Sequence, residues 1–442
     1  MQNKSALALR RALNVYFFKP EMNQSLFRTI SKCRICGSAD IPLIIDLGGQ
    51  PPANSLRDSL RDELPAVPLV LCQCGNCSTV QLTQTIEPAY LFSNYVWVTG
   101  SSGVAREYSV RFCAETLKRC CTSQPFVLEI ASNDGTFLKQ FKNGGLKVLG
   151  VDPAKNISEI ADKDGIPTLV EFFGVEVAEK IVAEYGLVDC VFARNVIAHV
   201  ENIHSVIEGM AKCLKNNGIG VVEFHYSKVI YDQLHYDSIY HEHLFYYSLQ
   251  SACYLLEVHG LYPFDVLVSP VNGGGMALYF SKEERSRSHF LDSELRKEKE
   301  SGIGNFEAWV NFGEACVKHG KELVRLVEEI AGQGELMIGY GASARSSTLL
   351  NFSGINKTHL NCIADGNPLK HGKYTAGTDI PIVAPDVALA KKPDAILLLA
   401  WNLKDEILNI LKDKYKFYGK IIVPLPGSPK VINLGSPKVI NN

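Results

Sequence analysis

Apolar and polar positions change rhythm several times along this chain, and each change predicts a different kind of structure. From Pro125 onward, apolar runs alternate with amphipathic ones. Residues 126–131 predict a buried strand, 132–135 a turn, and Thr136 opens a helix that leads to a second buried strand at 147–152. Residues 189–195 and 220–223 predict the fourth and fifth strands, with a helix over 202–214 between them. Such a βαβ succession builds a doubly wound sheet, which binds ligands beyond the carboxyl ends of its strands. Between 281 and 335 the rhythm is helical, with a stripe of Phe306, Trp309, Val310 and Phe312. Residues 335–344 then predict a strand, a glycine turn and a helix start, and 361–365 a further strand.

Ahead of Pro125 the pattern is weak, and there cysteine spacing carries the information. Cys33-Arg-Ile-Cys36-Gly and Cys74-Gly-Asn-Cys77 are two C-x-x-C knuckles, the spacing that turns two thiolates toward one tetrahedral ion. The Pro-rich stretch between them, Leu47-Gly-Gly-Gln-Pro-Pro-Ala-Asn-Ser55, has too little periodicity to fold unaided. A structural zinc site of Cys33, Cys36, Cys74 and Cys77 is expected, with Cys72 a competitor that lacks the knuckle spacing. The chain has thirteen cysteines, and those from Cys113 onward sit in apolar runs and are read as packing residues.

A net charge of −2 without long runs of one sign leaves no electrostatic footprint for nucleic acid or a membrane surface. Arg10-Arg11 divides the apolar residues of the start and no cleavage site follows, so a cytoplasmic chain is expected; Met22 is an alternative start.

The first βαβ unit separates two cofactors. A dinucleotide needs close backbone approach to its pyrophosphate, hence G-x-G-x-x-G, whereas S-adenosylmethionine (SAM) carries no phosphate and a cationic sulfonium. Glu129 with Gly135 fits SAM, and Asp152 at the next strand end suits ribose hydroxyls. Two histidine segments fall at strand ends, Asn195-Val-Ile-Ala-His199-Val and Tyr240-His241-Glu242-His243. A histidine with a tyrosine and a further histidine is the inventory that proton abstraction needs, a base and a stabiliser for the anion formed.

Taken in order, C-R-x-C-G, G-x-Q-P-P-A-N-S, C-x-x-C with Val80-Gln81-Leu82, E-I-A-S-N-D-G, N-V-x-A-H-V and Y-H-E-H resemble the nucleotide-sugar C-methyltransferases. Later motifs of that family recur as Gly273-Gly274-Gly275, Gly339-Tyr-Gly-Ala-Ser-Ala-Arg345 and Leu399-Ala-Trp401-Asn402, so the resemblance spans roughly 33–426. It implies methylation of carbon 3 of a nucleoside-diphosphate 4-keto-deoxysugar. His243 would be the general base, with Tyr240, Glu242 and His199 positioning the sugar or stabilising its enolate; His241 is given no chemistry. Tyr95 resembles a family tyrosine that faces the sugar. Glu129, Ala131, Asn133, Gly135, Asp152 and Asn195 make up the expected SAM-binding set.

The expected fold class is therefore α/β in successive units: an N-terminal extension (1–30), a zinc-binding module (31–88), a class I SAM-methyltransferase doubly wound sheet (89–281), a helical connector (282–334), a C-terminal Rossmann-like domain (335–426) and a flexible tail (427–442). The tail contains Gly-Ser-Pro-Lys-Val-Ile-Asn twice. Gly339-x-Gly341-x-x-Ala344 also reads as a dinucleotide fingerprint, so an NAD-dependent oxidoreductase is the second reading, and a non-catalytic sugar-nucleotide-binding protein the third. The same turn, with Arg345 nearby, is read as an anion site for a diphosphate. A monomer or weak homodimer is expected.

Overall fold

The computed structural model describes residues 26–92 and 98–435. Near the N-terminus, Leu43–Gln50, Val67–Gln73 and Val80–Leu82 form an antiparallel sheet. Its edge is completed by Phe245–Tyr246, which lies more than 160 residues further along the chain. Phe27–Thr29 pairs with Gln84–Ile86, so the end of the expected extension is part of a sheet. The middle strand Val67–Gln73 is buried at nearly every position because its apolar side chains join a core shared with Trp309, Phe312 and the C-terminal sheet.

The central sheet has seven strands: β1 (Val127–Ile130), β2 (Val148–Val151), β3 (Thr168–Leu169), β4 (Val188–Arg194), β5 (Leu214–His225), β6 (Tyr262–Ser269) and β7 (Gly275–Ser281). Their order is β3-β2-β1-β4-β5-β7-β6, parallel except for β7, which runs against both neighbours. The chain leaves β1 toward one edge and returns at β4 toward the other. That reversal opens a crevice at the carboxyl ends of β1 and β4. Buried apolar clusters cover both faces, which is why these strands read as continuous hydrophobic runs. On one face the ring of Phe280 lies over Gly220, where a Cβ would sit 2.0 Å from it.

After β5 comes the helix α1 (Leu249–Glu257), with Ser248 in a capping box; the connector then forms α2 (His289–Ser301) and α3 (Phe306–Ala331). Gly313 of α3 lets the helix approach the N-terminal sheet, since a Cβ there would stand 3.2 Å from the Ile44 carbonyl. The second large sheet comprises β8 (Met337–Tyr340), β9 (Ile363–Ala364), β10 (Ile382–Val383), β11 (Ala395–Leu398), β12 (Lys420–Val423) and β13 (Lys430–Asn433), in the order β10-β9-β8-β11-β12-β13. The helix α4 (Ala344–Ser353) follows β8. Here the expectation of a flexible tail is corrected: β13, from the first copy of the repeat, pairs antiparallel with β12. Its Lys-Val-Ile-Asn alternation suits an edge strand, and β12 supplies the open ladder. The second copy, after its first residue Gly435, lies outside the described residues. No helix among the described residues is long and apolar enough to cross a membrane.

Candidate active site

The turn after β1 places three residues in the left-handed region within five positions: Ala131 (φ 50°), Asn133 (φ 51°) and Gly135 (φ 74°). For a residue with a Cβ this costs about 1–3 kcal/mol, so surrounding contacts must hold it. Asp152 supplies one, its Oδ2 accepting the Asn133 N–H at 2.8 Å while Oδ1 accepts that of Ala154 at 2.9 Å. From above, the Thr99 N–H donates to Asn133 Oδ1 and that of Gly100 to Asp134 Oδ2, both at 2.8 Å. Asn195, at the end of β4, is left-handed too (φ 52°) and donates its N–H to the Glu223 carbonyl at 2.8 Å. Glu129 is buried, with Oε1 at 3.8 Å from Arg194 Nη1 and Oε2 without a partner among the described residues. Burial pushes its carboxyl well above the usual range, with nearby Arg194 opposing. Arg194 in turn bonds Glu223 at 3.0 Å and lies over the Phe137 ring. The orphaned carboxyl oxygen, beside an acidic turn with no phosphate cradle, fits a cationic, hydroxyl-bearing ligand such as SAM.

The histidine cluster lies in the loop from β5 to α1. Tyr240 Oη and His243 Nε2 are 2.9 Å apart, and His243 Nδ1 is 2.9 Å from the Ser238 carbonyl. Because a carbonyl can only accept, the His243 proton is on Nδ1 and Nε2 accepts from the tyrosine. His199 likewise donates from Nδ1 to the Glu242 carbonyl at 2.7 Å, and its ring centroid is 4.9 Å from that of His243. Burial lowers His199 to about 4; burial first, then His199, holds His243 well below its ordinary value. The Glu242 side chain turns instead to Asn54 Nδ2 at 2.9 Å, and burial raises its carboxyl. His241 points the other way, its Nε2 between the Val67 and Pro68 carbonyls at 3.2 and 3.3 Å. The structure thus brings together Tyr240, His243 and His199; Glu242 lies one peptide away with its carboxyl on the N-terminal module. Tyr95 lies outside the described residues.

The sulfurs of Cys33, Cys36, Cys74 and Cys77 all fall within 4.8 Å of one another, with 3.6 Å from Cys33 to Cys77 and 3.4 Å from Cys36 to Cys74. Bonds of about 2.3 Å in a tetrahedral thiolate site require similar separations, so the donor set fits zinc. The Gln81 amide donates to Cys33 Sγ at 3.1 Å, as outer partners of such sites do. Cys72 is not part of it: its thiol faces the Gln81 carbonyl, and burial pushes it up to about 12.

The glycine and the acid of the C-terminal turn also have partners within their own unit. Gly341 (φ +98°) is demanded by packing, since a Cβ would stand 2.5 Å from that of Ala400. Asp365, at the end of the next strand, accepts the Ala342 N–H at 2.7 Å and that of Asn367 at 2.8 Å, the same pattern that Asp152 shows in the central sheet. Arg345, at the start of α4, is paired with buried Asp237. A cavity of about 670 Å³ nevertheless opens beside this turn, lined by Asn54 and Ser55, by Asn156, and by Ser343, Ser347 and Lys370. Asn54 and Asp237 were missed as site residues. The P-P-A-N stretch flagged the first, and the second opens the polar segment Asp237-Ser-Ile-Tyr240 that leads into the histidine cluster.

The strand order, the acidic turn after β1 and the ligand crevice define a SAM-dependent methyltransferase. Residues 105–264 match the family model described as a methyltransferase domain, 33–92 a zinc binding domain, and 270–426 the C-methyltransferase C-terminal domain. The C-methyltransferase NovU of Streptomyces niveus is 33% identical over 423 residues, covering 93% of this chain and 99% of that protein. This chain belongs to the C-methyltransferase family. Among solved structures, magnesium protoporphyrin IX methyltransferase of Synechocystis PCC 6803 with bound SAM is 11% identical (TM-score 0.30) and covers 40% of this chain and 78% of its own. A SAM-dependent methyltransferase of Clostridium acetobutylicum is 10% identical (TM-score 0.33) and covers 42% and 94%.

Proposed function

We propose that this enzyme methylates carbon 3 of a nucleoside-diphosphate 4-keto-deoxysugar through an enolate, with His243 as general base. The observation that carries this reading is the His243 hydrogen-bond pair: Nδ1–H on the Ser238 carbonyl, Nε2 facing the Tyr240 hydroxyl. A neutral imidazole with its lone pair fixed on one nitrogen is a base, and burial keeps it neutral at working pH. His243 Nε2 takes the carbon 3 proton, which the neighbouring ketone acidifies. Tyr240, released from Nε2, donates its hydroxyl to the keto oxygen as charge develops there, and His199 flanks the same oxygen. Bound SAM supplies an electrophilic methyl group, and the carbon nucleophile takes it as S-adenosylhomocysteine leaves.

Glu129, Ala131, Asn133, Gly135, Asp152 and Asn195 hold SAM in this reading. Asp152 spends one lone pair of each oxygen on backbone and keeps the others for hydroxyls. Glu242 holds Asn54 in the lining of the cavity, whose size suits a sugar nucleotide. Tyr95 is placed at the sugar by resemblance. The sites are shared among three units, at 31–88, 89–281 and 335–426, and the enzyme acts as a monomer or weak homodimer.

The test is incubation with methyl-labelled SAM and a thymidine-diphosphate 4-keto-6-deoxysugar, with the product mapped by mass spectrometry and NMR. Label on carbon 3 is expected. Label on carbon 5, the other carbon flanking the ketone, would correct the position; label on oxygen or nitrogen would end the enolate mechanism.

A further inference from the structure

The loop that carries His243 is held from outside its own sheet. Asp237, in the turn Tyr236–Ser238, is fully buried. It accepts Arg345 Nη2 at 2.9 Å and Nε at 3.0 Å, and its Oδ2 also accepts the Trp401 indole N–H at 2.7 Å. The guanidinium carbon lies 4.7 Å from the Trp401 ring centroid, and the His235 ring packs on the same indole. Three residues along α4 from Arg345, Thr348 donates to the Ile239 carbonyl at 2.8 Å. On the other side of the turn the Tyr236 hydroxyl meets His319 Nδ1 of α3 at 2.9 Å. Ser238, the residue whose carbonyl orients His243, therefore sits between two anchored neighbours.

Resting on the reading of His243 as the base, we propose that Asp237 is a positioning residue: through Arg345 and Trp401 the C-terminal unit holds the Ser238 carbonyl where it keeps the His243 proton on Nδ1. The two oxygens and the planar fork fix direction as well as distance. A buried ion pair contributes little net stability compared with an apolar pair of the same size, so its value here lies in the register it imposes on the loop. The arrangement also joins binding to chemistry. Ser343, Ser346 and Ser347 line the cavity from the first turn of α4, while Arg345 and Thr348, on a different face of the same helix, hold the base loop.

The test uses the full chain with ¹⁵N-labelled histidine and the variants Asp237→Asn, Arg345→Lys and Trp401→Phe, with the His243 resonances assigned by their loss in His243→Gln. In the wild type His243 is expected as a single Nδ1–H tautomer. In Asp237→Asn and Trp401→Phe both tautomers should appear. Their kcat with the keto-sugar nucleotide should fall on the order of 100-fold, while SAM affinity by calorimetry stays within about twofold of wild type. Arg345→Lys, which keeps the charge and loses the fork, should fall between. If Asp237→Asn does not fold, Trp401→Phe, which keeps a ring beside Arg345, decides alone. A single Nδ1–H tautomer in every folded variant, or a loss of SAM affinity equal to the loss of kcat, overturns the proposal. Should the wild type transfer no methyl group to the sugar, the sugar reading fails, while the ¹⁵N spectra still decide the role of Asp237.

Discussion

Hydrogen-bond direction at single histidines decides what each can do. His243 and His241 are two residues apart and equally basic in water, yet one faces a tyrosine hydroxyl and the other two backbone carbonyls. Replacing His243 with Gln should leave SAM binding intact and lower methyl transfer by on the order of 10²–10⁴-fold, read by label transfer at saturating SAM. Unimpaired turnover would remove it as the base. Protonation also bears on stability. His241 and His235 are buried with values lowered to about 4, whereas the unfolded chain titrates near ~6.5. The unfolded state then binds more protons between those values, so the stabilisation is full above pH ~6.5 and is lost as pH falls toward about 4. Buried Glu129 and Glu242, raised by burial, oppose this over the same range, so the check is local: ¹⁵N histidine spectra should show both rings still neutral at pH ~5, and protonated rings there would contradict neutral burial.

Elements are joined here by a few polar residues that sequence periodicity does not flag. Glu298 of α2 is buried and accepts the N–H groups of Leu249 and Gln250 at 2.6 and 2.8 Å, and the Tyr226 hydroxyl at 2.9 Å. It therefore closes the first turn of α1, which Ser248 caps from the other side. In the sequence Glu298 is one charge among many in an amphipathic run, and only the packing of α2 on α1 makes it a cap. Glu298→Gln turns a donor toward those N–H groups and should cost about 2–3 kcal/mol, seen as a lower urea midpoint, with activity of the folded protein retained.

For the molecule as a whole, the zinc module and the active-site loop share one sheet. Val80–Leu82 pairs with Phe245–Tyr246, two residues beyond His243, and Asn54 holds Glu242. Removing the metal should therefore abolish methyl transfer as well as unfold the module. One zinc per chain, a lower-temperature transition after chelation and recovery of both on zinc addition are the expected results; full activity in a zinc-free protein would separate the two. Much of this was legible in the residues: knuckle spacing named the four thiols, apolar runs marked the parallel strands, and the order of short motifs pointed to the family. Those features are local, because a C-x-x-C turn, a buried strand and a strand-end carboxylate are each set by neighbours within a few positions. Tertiary structure alone decided that Arg345 spends its charge on Asp237, that Gly341 serves packing against Ala400, and that a supposed tail supplies an edge strand. The first two depend on partners far along the chain and the third on an edge that the rest of the sheet leaves open, and no period or spacing along the chain encodes which distant group will share a desolvated pocket.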